Sequence, residues 1–200
     1  MPDDKKCQAD GPALQRVKTV RYTVRARRSA RMSQMLRVRV ARCAVVPLLC
    51  AAFAGHVAAD STTQLAGAEQ LRTVLEREQG KIVLLNLWGT WCTPCLKEIP
   101  DLVVLEQEFA DRGVVLIGLG MDEPETLERL VEPFRKKHFP QFRTYLRDAP
   151  DMDTVVSVVD PAWNELLPTT YLIDRAGNVV KRIQGKRTRE QFRAEIEALL

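Results

Sequence analysis

The 200-residue sequence has no run of about 18 or more uncharged apolar residues, so no stretch reads as a confident membrane-spanning helix. No segment repeats at a fixed period, which argues against solenoids and propellers. Histidine is scarce, at 2 residues. Of the 5 cysteines, Cys7, Cys43, Cys50, Cys92 and Cys95, only the last two lie beyond residue 59. With 46% hydrophobic and 28% charged residues, the composition is that of a globular chain, sized for one domain with tails.

A basic excess is also missing where it would matter. The formal net charge of +4 invites a nucleic-acid reading. Residues 1–42 carry 12 Lys and Arg against 3 Asp and Glu, whereas residues 60–200 carry 18 against 23. The downstream domain is therefore mildly acidic, and no nucleic-acid partner is expected. The basic run Lys186-Arg187, with Arg189 nearby, reads as a solvated edge.

The basic end has the form of an export leader. Arg37, Arg39 and Arg42 precede the 17-residue run Cys43–Ala59, which holds no Asp, Glu, Lys or Arg and closes on Val57-Ala58-Ala59. A positive start, an apolar middle and small residues before a cleavage point describe a secretory signal peptide, with cleavage expected after Ala59. Pro47, Gly55 and His56 interrupt the run, so a removable signal fits better than a permanent anchor. Neither Cys43 nor Cys50 follows a small residue, so lipid attachment is not expected. Arg27-Arg28 lies too far upstream for a twin-arginine signal, and Asp3, Asp4 and Asp10 disfavour an organelle transit peptide. Translation is expected to begin at Met32 or Met35. The organisation is then a mis-assigned or disordered extension at 1–31, a signal peptide at 32–59, cleaved or kept as a tether to the inner membrane, and a folded domain at 60–200. The product is expected in the periplasm or cell envelope.

The folded domain keeps only Cys92 and Cys95, spaced C-x-x-C, in an oxidising compartment. Three readings compete. A zinc site wants four ligands, and only His138 is available besides the two thiols. A structural disulfide would close a very short loop and gain little chain entropy. A redox-active dithiol is the strongest of the three.

Hydrophobic spacing places elements around this pair. Leu71, Val74 and Leu75 give a helix over 68–79 that Gly80 stops. KIVLLNLW (81–88) and VVLIGL (114–119) are continuous apolar runs, read as strands buried on both faces. A helix runs from the C-x-x-C to about 111. Leu127, Leu130, Val131 and Phe134 define an amphipathic helix over 125–137, with a kink or early end expected at Pro133. A short strand at 142–146, a helix carrying Met152, Val155, Val156 and Val159, a hairpin of 169–173 and 178–183, and a last helix capped by Thr188 complete the chain. The order α-β-α-β-α-β-α-β-β-α implies a mixed sheet covered on both faces.

Trp91-Cys92-Thr93-Pro94-Cys95 thus joins a buried strand to a helix. The unsatisfied N–H groups and positive dipole of the first helical turn stabilise a thiolate, so the Cys92 pKa should fall. Cys95 lies one turn in, able to attack a mixed disulfide on Cys92. Pro94 suits the first turn because its missing N–H would be orphaned there anyway.

LLNLWGTWCTPC, Pro100 five residues after Cys95, and LPTTYLID (167–174) resemble, in this order, the signatures of the thioredoxin superfamily, specifically its TlpA/ResA-like exported thiol–disulfide oxidoreductases. The resemblance covers roughly 65–200, with 121–148 similar to the helix–strand insertion of that branch. It implies an α/β, thioredoxin-like three-layer α/β/α fold whose mixed central sheet carries a terminal antiparallel hairpin and an inserted helix–strand unit. It also implies roles. Cys92 is the nucleophile, Cys95 the resolving thiol, and Pro168 faces the dithiol through a cis bond. Leu167 offers backbone groups to an extended substrate, and Trp91, Leu167 and Gly185 form an apolar rim. Thr93 and Pro94, between the sulfurs, influence the potential.

Thioredoxins bury an aspartate six residues before the first cysteine; here that position is Asn86, which cannot titrate. Glu98, three residues after Cys95, matches an active-site glutamate of ResA-like proteins and is expected to exchange a proton with Cys95. The plain alternative is a surface glutamate steadied by the helix dipole. Two departures stand out: a helix over 67–80 where many members have a β-hairpin, and a loop, DPAWNELL (160–167), that adds Pro161, Trp163 and Glu165 before the proline.

The resemblance implies an enzyme that reduces protein disulfides, as in cytochrome c or copper-site maturation. It would act as a monomer on client proteins, recharged by a membrane thiol donor and needing no organic cofactor or metal. Two alternatives stay open. One is a thiol peroxidase, although Gly89 stands where peroxiredoxins place Thr or Ser. The other is a copper-binding module using the two thiolates.

Overall fold

A computed structural model of the protein describes residues 62–200. The extension and leader expectations for 1–59 lie outside the described residues. Strand β2 (Ile82–Trp88) is buried at every position, as its unbroken apolar run requires. It pairs in parallel with β3 (Val114–Gly120) along its whole length and antiparallel with β5 (Thr169–Ile173). Strand β4 (Thr144–Arg147) adds in parallel to the end of β3, and a three-residue strand β1 (Gln64–Ala66) adds in parallel to β4. Strand β6 (Val179–Gln184) closes the far side as the antiparallel hairpin partner of β5. The six-stranded order is β1-β4-β3-β2-β5-β6.

Period-two alternation along β2 divides the core between the sheet's two faces. Ile82, Leu84 and Trp88 pack with Ile99, Leu102 and Phe192, from α2 (Thr93–Phe109) and α5 (Arg189–Glu197). Val83, Leu85 and Leu87 pack on the other face with Leu71, Val74 and Val155, from α1 (Ala68–Arg77) and α4 (Met152–Val156). The result is the expected three-layer α/β/α architecture with a mixed sheet.

Four local expectations are corrected. The segment 125–137 is not one helix: a 3₁₀ turn (Pro124–Thr126) and a π turn (Leu127–Val131) precede α3 (Glu132–His138). Pro133 has no N–H to continue a helix arriving from upstream and is tolerated only in a first turn, so α3 restarts around it. Strand β4 begins at Thr144 rather than 142, because Phe142 turns into the core. Helix α4 stops at Val156, consistent with the poor helix propensity of its valines. Strand β1 precedes α1, so the element order gains a strand at its start.

Candidate active site

The C-terminal end of β2 delivers the chain into Gly89-Thr90-Trp91 and then α2. Cys92 is the N-cap of α2, and its Sγ accepts the Cys95 N–H at 3.3 Å. This is a backbone donor aimed at the sulfur, on top of the positive end of the helix dipole. Cys92 and Cys95 are disulfide-bonded with Cα atoms 5.3 Å apart. Cys92 is buried and Cys95 fully so, while Thr93 and Pro94 between them are exposed. Attack from outside can therefore reach the pair only past Cys92.

Trp91 is 60% exposed beside the disulfide, so it is not a core residue. Its indole folds back over Gly89, where an added Cβ would sit 2.9 Å from the ring. That contact leaves no room for the Thr or Ser of a peroxidatic site without displacing Trp91.

Thr169, the first residue of β5, pairs with Leu87 on β2. The preceding Leu167–Pro168 peptide, which is cis, therefore lies at the sheet end from which the C-x-x-C loop leaves. Leu167 packs against the core that contains Cys92 and Cys95. The Pro168 carbonyl accepts the Gly185 N–H at 2.8 Å, which brings the end of β6 to the same place. The structure thus gathers Trp91, Cys92, Cys95, Leu167, Pro168 and Gly185 at one end of the sheet.

Glu98 is 1% exposed and is no surface glutamate. Its Oε2 accepts the Arg187 N–H at 2.8 Å, and its Oε1 lies 3.4 Å from Asn86 Nδ2. Burial pushes its pKa up to about 7, overriding the opposing pull of the Arg187 N–H, the Lys186 and Arg187 charges and the Asn86 amide. Asn86 is itself fully buried and donates to Thr170 Oγ1 at 2.9 Å, while its Oδ1 has no partner among the described residues. A protonatable acid thus stands one helical turn from Cys95, beside an amide that replaces the thioredoxin aspartate.

Sequence reasoning missed Asp122. Placed just beyond β3 and 5% exposed, it accepts both the Thr90 N–H (2.9 Å) and the Thr90 hydroxyl (2.5 Å). Thr90 is two residues from Cys92, so Asp122 pins the loop that carries Cys92. The only trace of this in the sequence is that Asp122 is the first acid after an apolar strand run. The loop 160–167 is likewise fastened rather than loose. Asp160 accepts from Tyr171 Oη (2.9 Å) and Arg182 (2.8 Å), and Trp163, largely buried, donates to Thr169 Oγ1 at 3.3 Å. Trp163 is therefore core, while Glu165 adopts a positive φ of 58° and Leu166 is half exposed.

With the site described, comparison with known proteins is informative. The model of the AhpC/TSA family matches residues 54–182. The chain belongs to the AhpC/TSA family. Within that family it is similar to the thiol-disulfide oxidoreductase ResA of Bacillus thuringiensis subsp. konkukian, 35% identical over 114 residues, 57% of this chain and 61% of that protein. The ResA of Halalkalibacterium halodurans is 32% identical over 158 residues, 74% of this chain and 84% of that protein. The chain thus spans about three fifths of the first relative and more of the second. Among solved structures, a putative thiol:disulfide interchange protein DsbE from Chlorobium tepidum superposes with a TM-score of 0.52 at 22% identity, over 62% of this chain and 84% of that one. A DsbF homologue from Corynebacterium diphtheriae gives 0.54 at 21% identity, over 62% and 76%. These AhpC/TSA likenesses establish the thioredoxin-like fold. Among the described residues, no helix is long and apolar enough to cross a membrane.

Proposed function

We propose that this chain is an exported thiol–disulfide oxidoreductase that reduces disulfides in client proteins, such as apocytochromes c or copper-site proteins. The observation that carries the reading is the Cys92–Cys95 disulfide at the N-terminus of α2, with Cys95 one turn from the buried acid Glu98. The chain's relatives named thiol-disulfide oxidoreductase support it.

The chemistry starts from the reduced pair. The Cys92 thiolate, held by the Cys95 N–H and the helix dipole, attacks one sulfur of a client disulfide. A Cys92–client bond forms, the client S–S bond breaks, and the second client sulfur leaves as a thiolate. Glu98 takes the Cys95 proton, and the Cys95 thiolate attacks Cys92 Sγ. The client is released with both thiols, and two electrons have passed to it. A membrane dithiol donor then reduces Cys92–Cys95 by the same exchange. No organic cofactor enters the cycle, and the protein acts as a monomer.

The test is the equilibrium reduction potential of the pair against glutathione buffers. A value near or below about −270 mV supports a reductant, whereas one near about −120 mV makes the protein an oxidant of newly exported chains. Failure to form a disulfide at any poise would remove the redox reading and leave the copper-binding one.

A further inference from the structure

The segment after β6 is stitched to the active site at both ends. Gly185 N–H binds the carbonyl of Pro168, and Arg187 N–H binds Glu98. Between these anchors the chain projects Lys186 and Arg187, both exposed. The Arg187 guanidinium turns back toward Gly185: its Nη1 donates to the Lys186 carbonyl at 3.3 Å and would lie 4.0 Å from a Cβ on Gly185. Both cations act electrostatically on Glu98, which places them within its electrostatic reach.

Neighbouring cations are neutralised within the fold. Lys181 pairs with Glu195, Arg182 with Asp160, Arg193 with Glu108, and Arg189 faces Asp101 at 3.8 Å. Among the described residues, neither Lys186 nor Arg187 forms a salt bridge. Two cations without a salt bridge among the described residues thus border the site of a domain whose sequence from residue 60 onward carries more acid than base. Unpaired rim charges beside a reacting centre act mainly on encounter with a charged partner.

Resting on the oxidoreductase reading, we propose that Lys186 and Arg187 form a cationic rim that selects client segments carrying Asp or Glu beside the reacting cysteine. The extended client would cross the Gly185 side of the site, and its acidic side chains would meet the rim as its sulfur meets Cys92. Arg187 reaches an acidic side chain through a guanidinium whose backbone is already fixed by Glu98.

The experiment uses the reduced full chain and two disulfide-linked synthetic peptides, identical except for Glu or Lys flanking the cysteine. Second-order rate constants of reduction are read at low and high salt. The wild type is expected to favour the Glu peptide by about 3- to 10-fold at low salt, with the preference collapsing as screening shortens the reach of the charges. K186E/R187E should reverse the order. R77E/R112E, the same change of charge at exposed positions just before the starts of β2 and β3, at the opposite end of the sheet, should keep it. Any effect of K186E/R187E on Glu98 changes both peptides alike and cancels in their ratio. A ratio near one in the wild type, or one unmoved by K186E/R187E, overturns the rim. An unmoved ratio with lost binding to phosphatidylglycerol vesicles would assign the two cations to a lipid surface instead. Reduction of neither peptide, nor of insulin, would mean that the oxidoreductase reading itself has failed.

Discussion

Glu98 and Arg187, 89 positions apart, meet through a 2.8 Å hydrogen bond from the Arg187 N–H to Glu98 Oε2. That bond and the nearby cations favour the carboxylate, yet burial dominates and the acid titrates at about 7 instead of 4.5. Below pH 4.5 the folded and unfolded chains both hold the proton. Between 4.5 and 7 only the folded chain does, so stability falls as pH rises through this window, by an amount on the order of 3 kcal/mol. Denaturant midpoints of the oxidised protein, in which neither active-site cysteine titrates, should drop from pH 5 to pH 8. Glu98→Gln should remove most of that slope; equal slopes in the two proteins would show that Glu98 does not titrate there.

The same acid should shape the rate. Exchange that needs Glu98 as a base for Cys95 rises as Glu98 loses its proton, with a midpoint near neutrality. Glu98→Gln is expected to slow resolution of a Cys92 mixed disulfide by about 10- to 100-fold and to abolish that midpoint. Single-turnover rates across pH 5 to 9 measure both. A reduced rate with an unchanged profile would leave Glu98 as packing only.

Asp122 fastens the loop of Cys92 through Thr90. Asp122→Ala leaves the Thr90 N–H and hydroxyl donors without their acceptor, which should cost about 1–3 kcal/mol. It should also slow attack by Cys92 on a model disulfide while leaving the Cys95 resolution profile in place. Asp122→Asn, which keeps an acceptor oxygen, should restore most of the stability. If both variants attack at the wild-type rate, the Thr90 contact serves folding alone.

Much of this was legible in the sequence because it rests on local pattern. The continuous apolar runs of β2 and β3 mark strands covered on both faces, and C-x-x-C between a strand and a helix marks a sulfur at a helix N-terminus. The broken helix around Pro133 was only half visible. Spacing reports which face is buried, but not whether the turns beneath it close as 3₁₀, π or α, since these differ by small energies. The contacts that complete the site were invisible for another reason. Asp122 reaches back 32 positions to Thr90, and the donor to Glu98 is a backbone N–H, which no side-chain pattern encodes. Lys186-Arg187 looks like any solvated edge until the fold sets it between Pro168 and Glu98.

Glu132 sets the acid limit. Burial alone would raise its pKa, but hydrogen bonds from Arg135 and from the Thr63 N–H, with the charge of Arg135, hold it at about 2. Arg135, 2% exposed, is buried against this carboxylate and the Pro140 carbonyl, and the cluster ties the chain just before β1 to α3. A depressed pKa contributes stability that is complete above about 4.5 and is lost as pH falls toward 2, the reverse of Glu98 and in a separate window. On acidification from pH 8, the Glu98 contribution therefore rises until about 4.5, after which the Glu132 contribution falls. Glu132→Gln should cost about 3 kcal/mol at neutral pH, because it removes the charge that compensates a buried guanidinium. It should also flatten the loss between pH 4.5 and 2, leaving the Glu98 slope above pH 4.5 intact. Chemical denaturation of the single variants and of the E98Q/E132Q pair checks both windows, and two independent sites should give additive slopes.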